Sequence, residues 1–235
     1  MSLHLHAVVR ATHQLPDGSS FRLVELEDIA VVVSEHPDGR VLTEQEAVDD
    51  LAGLCALLPG GPVVPLRIGT TAVDETAARA AVHVLSVPVV RDRLNQLDGV
   101  AEMHVRLVFD EDTALRAIHN ESGFTGGGAD LAATIAQGER IARQIVAWRR
   151  NQADGMLAPV SAVALAVAPL DPPVHTEEHR AFLVPLGEVE AVRDGVAALN
   201  GVTAICTGPL PAFHFLDLAP QQPRHQDQQA SRWGW

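Results

Sequence analysis

Histidines are the side chains with the clearest potential for chemistry in this sequence. His4 and His6 alternate with apolar residues in a stretch typical of a β-strand, so both imidazoles fall on one face of that strand. His104 has the same place in the strand-like segment 102–109, and three converging imidazoles could chelate a transition metal. The sequence spacing does not place an acidic ligand beside these three histidines. We therefore expect a polar sheet face under solvent or a partner. The alternative is a small-molecule- or metal-binding enzyme or sensor that uses a pocket lined by these three histidines.

A second group of residues matches the spacing of a metalloprotease. His175, Glu178 and His179 spell H-x-x-E-H, the pattern of the inverted zincins. That chemistry needs both histidines on one helix face, with the glutamate as the base. Here the group follows Pro172-Pro173 and precedes an extended Phe-Leu-Val run, which leaves no room for such a helix. We expect a solvated loop, and we assign no catalytic residue, no metal ligand and no cofactor.

Composition and charge exclude several classes of function. The formal net charge is −13, and every basic residue is arginine, so no basic face is available for nucleic acid or for an anionic membrane surface. The pair Arg149-Arg150 is expected to end a helix, where cations complement the helix dipole. The two cysteines are far apart, and we expect no signal peptide and no membrane span. A cytoplasmic protein is the expectation.

The segments that must position these residues are predicted to be a mixture of strands and helices. In the first half, strands are expected near 3–10, 21–26, 29–34 and 102–109, and an edge strand or structured loop over 62–69. Thr43 opens a helix with Glu46 completing a capping box. Asp74 is expected to cap a second helix, and Pro88 to lie in the first turn of a third. This order is compatible with a modified ferredoxin-like α+β sandwich.

The second half repeats the α+β theme. We expect a short helix over 110–119, a Gly-rich hinge at 122–128 and the longest helix over 129–150. Strands at 160–168, 180–184 and 202–206 follow, with a helix near 186–199 before the last strand. The predicted division is a ferredoxin-like domain over 1–110, a smaller α+β domain with a long helix over 111–218, and a flexible tail over 219–235. A single fused domain is the alternative.

Collinear motifs carry a resemblance to a known family. The segment Pro62-Val-Val-Pro-Leu-Arg-Ile-Gly-Thr70, the strand Leu97-Asp-Gly-Val-Ala-Glu-Met-His-Val-Arg-Leu107, Ala181-Phe-Leu-Val184 and Thr207-Gly-Pro-Leu-Pro-Ala-Phe-His-Phe215 occur in the expected order. Together they resemble the gas vesicle protein F/L family over nearly the whole chain.

The resemblance implies a two-domain, non-catalytic accessory protein of the gas vesicle. It implies a location with the gas vesicle in the cytoplasm, and partners that are the small apolar shell protein and other gas vesicle accessory proteins. We expect contact through exposed strand edges in the first and last of these motifs. The candidate interface residues are Pro65, Leu66, Arg67, Gly69, Gly208, Pro209, Pro211 and Phe213.

Overall fold

The computed structural model describes residues 2–37, 43–122, 131–172, 174 and 176–216, and these form a mixture of helices and antiparallel sheets. The strands are β1 (Ser2–Arg10), β2 (Arg22–Leu26), β3 (Ile29–His36), β4 (Val64–Pro65), β5 (Thr71–Ala72), β6 (Val100–Val108), β7 (Ala166–Leu170), β8 (Glu177–Pro185) and β9 (Thr203–Leu210). The α-helices are α1 (Glu44–Leu57), α2 (Glu75–Val84), α3 (Val87–Gln96), α4 (Glu111–Ser122), α5 (Leu131–Met156), α6 (Ala158–Val163) and α7 (Val189–Ala197). Short 3₁₀ turns cover Leu58–Gly60, Leu186–Glu188 and Phe213–Phe215.

The first sheet has the strand order β2-β3-β1-β4, and β5 also pairs with β1. Every pairing is antiparallel. One face packs against α2 and α3, where Val82, Val90 and Leu94 are buried on Leu5 of β1 and its neighbours. The other face packs against α1 through Leu54 and its neighbours. Burial of a Val or Leu side chain stabilises the fold by about 1.5–3 kcal/mol, so both faces contribute to the core.

The second sheet has the order β7-β8-β6-β9, again antiparallel throughout. Its inner face buries Met103 and Phe182 against α5, α6 and α7. The sequence grouped the strand 102–109 with the first half, and that placement is wrong. β6 lies between β8 and β9 inside the second sheet, because it pairs with two strands that come later in the chain.

Local signals predicted the helix starts well. The Thr43 side chain accepts a hydrogen bond from the Glu46 N–H, and the Glu46 carboxylate accepts from the Thr43 N–H, which completes the capping box. Asp74 caps α2 by accepting from the Ala77 N–H. Pro88 lies in the first turn of α3, where its missing N–H costs no helix bond.

Four other expectations concern one strand, the long helix, the Gly-rich run and the tail. Residues 160–168 were expected to form one strand, but the end of α6 and the start of β7 share them. The long helix continues past residue 150 to Met156, so Arg149 lies inside it rather than at its end. The Gly126–Gly128 run and the tail 219–235 lie outside the described residues.

The two halves of the chain share apolar clusters. Val64 of β4 packs with Leu97, Leu183 and Phe215. Phe213 packs on the cluster that contains Leu54 of α1. β6 belongs to the second sheet, but the division of the chain into two domains, with a ferredoxin-like first domain, stays a prediction.

Candidate functional site

Two groups of potential metal-binding side chains occur among the residues that the structure describes. The donor atoms of His4, His6 and Asp50 all lie within 4.8 Å of one another, and so do those of a second group built around Glu102. The histidines of the first group lie on the first sheet, whereas Glu102 and His104 lie on the second. The alternative in which His104 converges with His4 and His6 is therefore wrong, because β6 belongs to the other sheet.

A β-bulge in β1 positions the first group. Leu5 pairs with Val33 of β3 and Ala7 with Val32, so His6 is an extra residue between two register positions. The bulge changes the alternation of faces along β1. Leu5 packs towards α2 and α3, whereas Ala7 packs towards α1. The sequence pattern had placed Leu5 and Ala7 on the same face.

His6 lies on the face opposite Leu5 and contacts α1. His6 Nδ1 contacts Asp50 Oδ1, and His6 Nε2 lies 2.8 Å from Ser34 Oγ of β3. The ring centroids of His4 and His6 are 4.3 Å apart, and the Gly69 N–H donates to His4 Nε2 at 3.3 Å. The three group members are all buried. Burial, together with the neighbouring His6 ring, lowers the pKa of His4 below its ordinary value of 6.5.

A pocket of about 490 Å³ opens beside this group between β1, β3 and α1. Its wall includes His4, His6 and Asp50, together with His36, Glu46 and Asp49. The rings of His4 and His36 are 5.9 Å apart. The pocket is therefore lined by three imidazoles from the first sheet and by four carboxylates, that of Glu35 on β3 and the three on α1.

The second group is a hydrogen-bonded network around a carboxylate with no exposed surface, Glu102 on β6. Glu102 Oε2 accepts from the His214 N–H at 2.9 Å, and Glu102 Oε1 contacts His214 Nδ1 at 2.6 Å and His104 Nε2. The sequence placed Glu102 on a solvated face, but the turn Phe213–Phe215 covers it. Burial alone would raise the pKa of Glu102, but these hydrogen bonds outweigh it and lower the pKa below its ordinary value of 4.5.

The H-x-x-E-H segment forms part of a strand. His175 lies outside the described residues, but Glu178 and His179 belong to β8, so no helix presents them to a metal. The expectation of a solvated loop is wrong here. Glu178 is buried and accepts from Arg149 Nε at 3.0 Å and from Arg180 Nη2 at 3.1 Å. Glu178 is therefore part of a buried ion pair between α5 and β8, which gives this residue a structural role.

The candidate interface residues divide into buried and exposed sets. Pro65 and Pro211 are buried, and Leu66, Gly208, Pro209 and Phe213 are partly buried. Arg67 and Gly69 are exposed. The two motifs approach one another where the sheets meet, since residues of both pack in one apolar cluster. Much of each motif therefore contributes to the core.

Three members of the two groups could not be identified from the sequence, namely Asp50, Glu102 and His214. For Asp50 a signal was present, because Asp50, Leu54 and Leu57 follow the i, i+4, i+7 spacing of one helix face and all three are buried. The apolar residues of this segment predict a stripe that includes the buried Leu54 and Leu58 but also the exposed Val48, and that stripe leaves Asp50 out. Glu102 and His214 are brought together by tertiary contacts over a long stretch of chain.

Within the described part of the chain, no helix has the length and apolar character needed to cross a membrane. A family described as gas vesicle synthesis protein GvpL/GvpF matches residues 3–217. A search of curated proteins finds no match.

Two crystal structures are similar to this fold. GvpF from Microcystis aeruginosa has a TM-score of 0.75 and 14% sequence identity, covering 92% of this chain and 99% of that chain. GvpF from Anabaena sp. PCC7120 has a TM-score of 0.76 and 13% identity, covering 93% of this chain and 99% of that chain. At such identities the structural likeness shows the fold alone.

Proposed function

Because the chain belongs to the GvpL/GvpF family of gas vesicle synthesis proteins, we propose that it is a non-catalytic assembly factor that binds the gas vesicle shell protein. The family implies a role in gas vesicle formation. The observation that carries the proposal is the family match over residues 3–217, which includes both sheets and the junction between them. The partners are the shell protein and other gas vesicle accessory proteins, and the protein acts where the vesicle forms.

A strand edge of the second sheet supports a physical mechanism. β9 pairs with β6 on one side and ends the strand order, so its other side offers N–H and C=O groups for a further strand. Arg193 donates to the Gly208 carbonyl at the far end of β9, which leaves the part near Ile205 as the accessible stretch. Ile205 is 39% exposed. An apolar shell subunit that pairs here is kept from aggregating before it polymerises.

The exposed end of the other motif offers a second contact. Arg67, Ile68 and Gly69 are exposed beside β4, and Ile68 is an apolar side chain at the surface. Pro65 and Pro211 of the same motifs are buried. We therefore place the contacts to the shell protein on Ile68 and Ile205 rather than on these two prolines.

Co-expression with the major shell protein tests this proposal. A tagged chain should co-purify with soluble shell protein, and Ile205→Lys should reduce the recovered amount, because lysine blocks the pairing of edge strands. A loss of roughly tenfold corresponds to about 1.4 kcal/mol of binding free energy. Ile68→Lys tests the second contact. The matched control is Val84→Lys on α2, where the wild-type side chain is 86% exposed.

Each outcome of this experiment has a clear meaning. Retention by the wild-type chain and by Val84→Lys, with loss in Ile205→Lys, supports binding through β9. A folded wild-type chain that retains no shell protein removes the proposed function. Equal retention by all three lysine variants keeps the assembly role but removes these two surfaces from it.

A further inference from the structure

We propose that His4, His6 and Asp50 form a binding site for a divalent first-row transition metal ion, with Zn²⁺ as the first candidate. This site goes beyond the assembly role and does not depend on it. Two imidazoles and one carboxylate lie with their donor atoms within 4.8 Å of one another, and all three residues are buried. Imidazole and carboxylate together suit zinc and its neighbours, which bind three protein ligands and keep a further position open.

The hydrogen bonds of His6 favour a ligand role. Ser34 Oγ lies 2.8 Å from His6 Nε2 and can accept a proton from it, and in that tautomer the lone pair of the neutral ring is on Nδ1. That lone pair faces Asp50 Oδ1. A cation joins two such electron-rich atoms. Ligating histidines commonly donate their other N–H to a neighbouring oxygen, which is the arrangement that Ser34 supplies.

The pocket supplies charge and space for the ion. Glu46 and Asp49 of α1 add two carboxylates to that of Asp50, and His36 stands beside His4. Among the described residues that line the pocket, none is an arginine that would repel a cation. A volume of about 490 Å³ leaves room for water or a small ligand at the open position of the metal.

The position of the site gives the ion a mechanical effect. His4 and His6 lie on β1, whereas Asp50 lies on α1. A bound ion therefore ties the central part of the first sheet to the helix that covers it. His4 and His6 alternate with Leu5, which packs towards α2 and α3, so both imidazoles lie on the side of β1 that faces α1.

The Glu102 group is the weaker candidate for a metal. Both oxygens of Glu102 already accept hydrogen bonds from His214, and Oε1 also contacts His104. Glu102 therefore has hydrogen-bond donors at both oxygens. In the first group the Gly69 N–H donates to His4 Nε2 at 3.3 Å, and that one bond would be exchanged for the ion. The Glu102 group serves instead as the internal control for the test.

The test uses the full chain without a histidine tag, stripped with EDTA and titrated with Zn²⁺ by calorimetry, with Co²⁺ absorption as a second readout. We expect one ion per chain in the wild-type protein and in His104→Gln. Asp50→Asn should lose the ion. Ser34→Ala should keep the stoichiometry but weaken binding roughly 10- to 100-fold, as loss of an orienting partner does.

Three results would overturn the proposal. The first is a wild-type chain that binds no Zn²⁺ in the micromolar range, because His6 Nδ1–H then donates to Asp50 in a purely structural pair. The second is binding by Asp50→Asn that equals the wild type. The third is loss of the ion in His104→Gln, which would move the site to the Glu102 group. If Asp50→Asn does not fold, unchanged affinity in Ser34→Ala refutes the assignment.

Discussion

The buried ion pair between Arg149 and Glu178 allows a quantitative prediction. Both side chains are less than 10% exposed, and Arg149 Nε donates to Glu178 Oε2 at 3.0 Å. Arg149→Met keeps much of the side-chain volume but leaves the Glu178 carboxylate without its partner on α5. Removing one member of a buried pair costs about 3–5 kcal/mol. Arg180 still contacts Glu178, so we expect the lower end of that range, about 3 kcal/mol.

Urea denaturation followed by circular dichroism measures this loss. With an m-value of about 3 kcal/mol per M, the unfolding midpoint of Arg149→Met falls by roughly 1 M. The control is Arg150→Met, which makes the same change at the next residue of α5, where the side chain is exposed. Its free energy of unfolding should stay within about 0.5 kcal/mol of the wild type.

A double variant separates electrostatics from packing. Arg149→Met combined with Glu178→Leu replaces the pair by apolar side chains, which is often neutral or stabilising for a buried pair. Arg180 keeps its contact with Asp154 at 2.7 Å, so no cation is left without a partner in this network. The double variant should recover most of the fall in the urea midpoint that Arg149→Met causes. Equal midpoints for Arg149→Met and Arg150→Met would refute the reasoning, and a double variant without recovery would assign the cost to packing.

Three further predictions concern backbone space, capping and pH. Gly208→Ala should destabilise by about 2–4 kcal/mol in a thermal melt, because its φ is +139° and the new Cβ would lie 2.6 Å from Met103 Sδ. Gly187→Ala, with nothing within 4 Å of the new Cβ, should change little and is the control. Thr43→Ala removes the cap of α1 and should cost about 1 kcal/mol by urea denaturation, with Thr43→Ser close to the wild type. The lowered pKa of Glu102 means that its stabilisation is present above pH 4.5 and is lost as the pH falls below it. Glu102→Gln should therefore flatten the acid limb of stability against pH, and an unchanged slope would contradict this.

The sequence predicted the features that short stretches of chain determine. The caps at Thr43 and Asp74 depend on neighbours three residues away, so their signatures can be read directly. The strand pattern of 102–109 was also clear from the alternation of residue types. The alternation does not show which strands β6 pairs with. Its partners, β8 and β9, come much later in the chain.

The candidate sites show the same limit. A bulge at His6 changes which residues share a face, and a period-two pattern cannot reveal an inserted residue. Glu102 looked solvated because its cover, the turn at His214, follows it by more than 100 residues. Helical spacing places Asp50 on the same face as Leu54 and Leu57. An acidic residue is nevertheless not expected on a buried face unless its partner is known.

The position of Phe213 has a consequence for how the protein is made. It packs on the cluster of the first sheet that contains Leu54 of α1, although the whole second sheet separates the two residues along the chain. A ribosome that has released the first sheet has therefore not yet released the side chain that completes its apolar cover. Until the turn at Phe213 has been made, the Phe213 side chain cannot cover that cluster. Maturation of the first half thus waits for the last turn of the second.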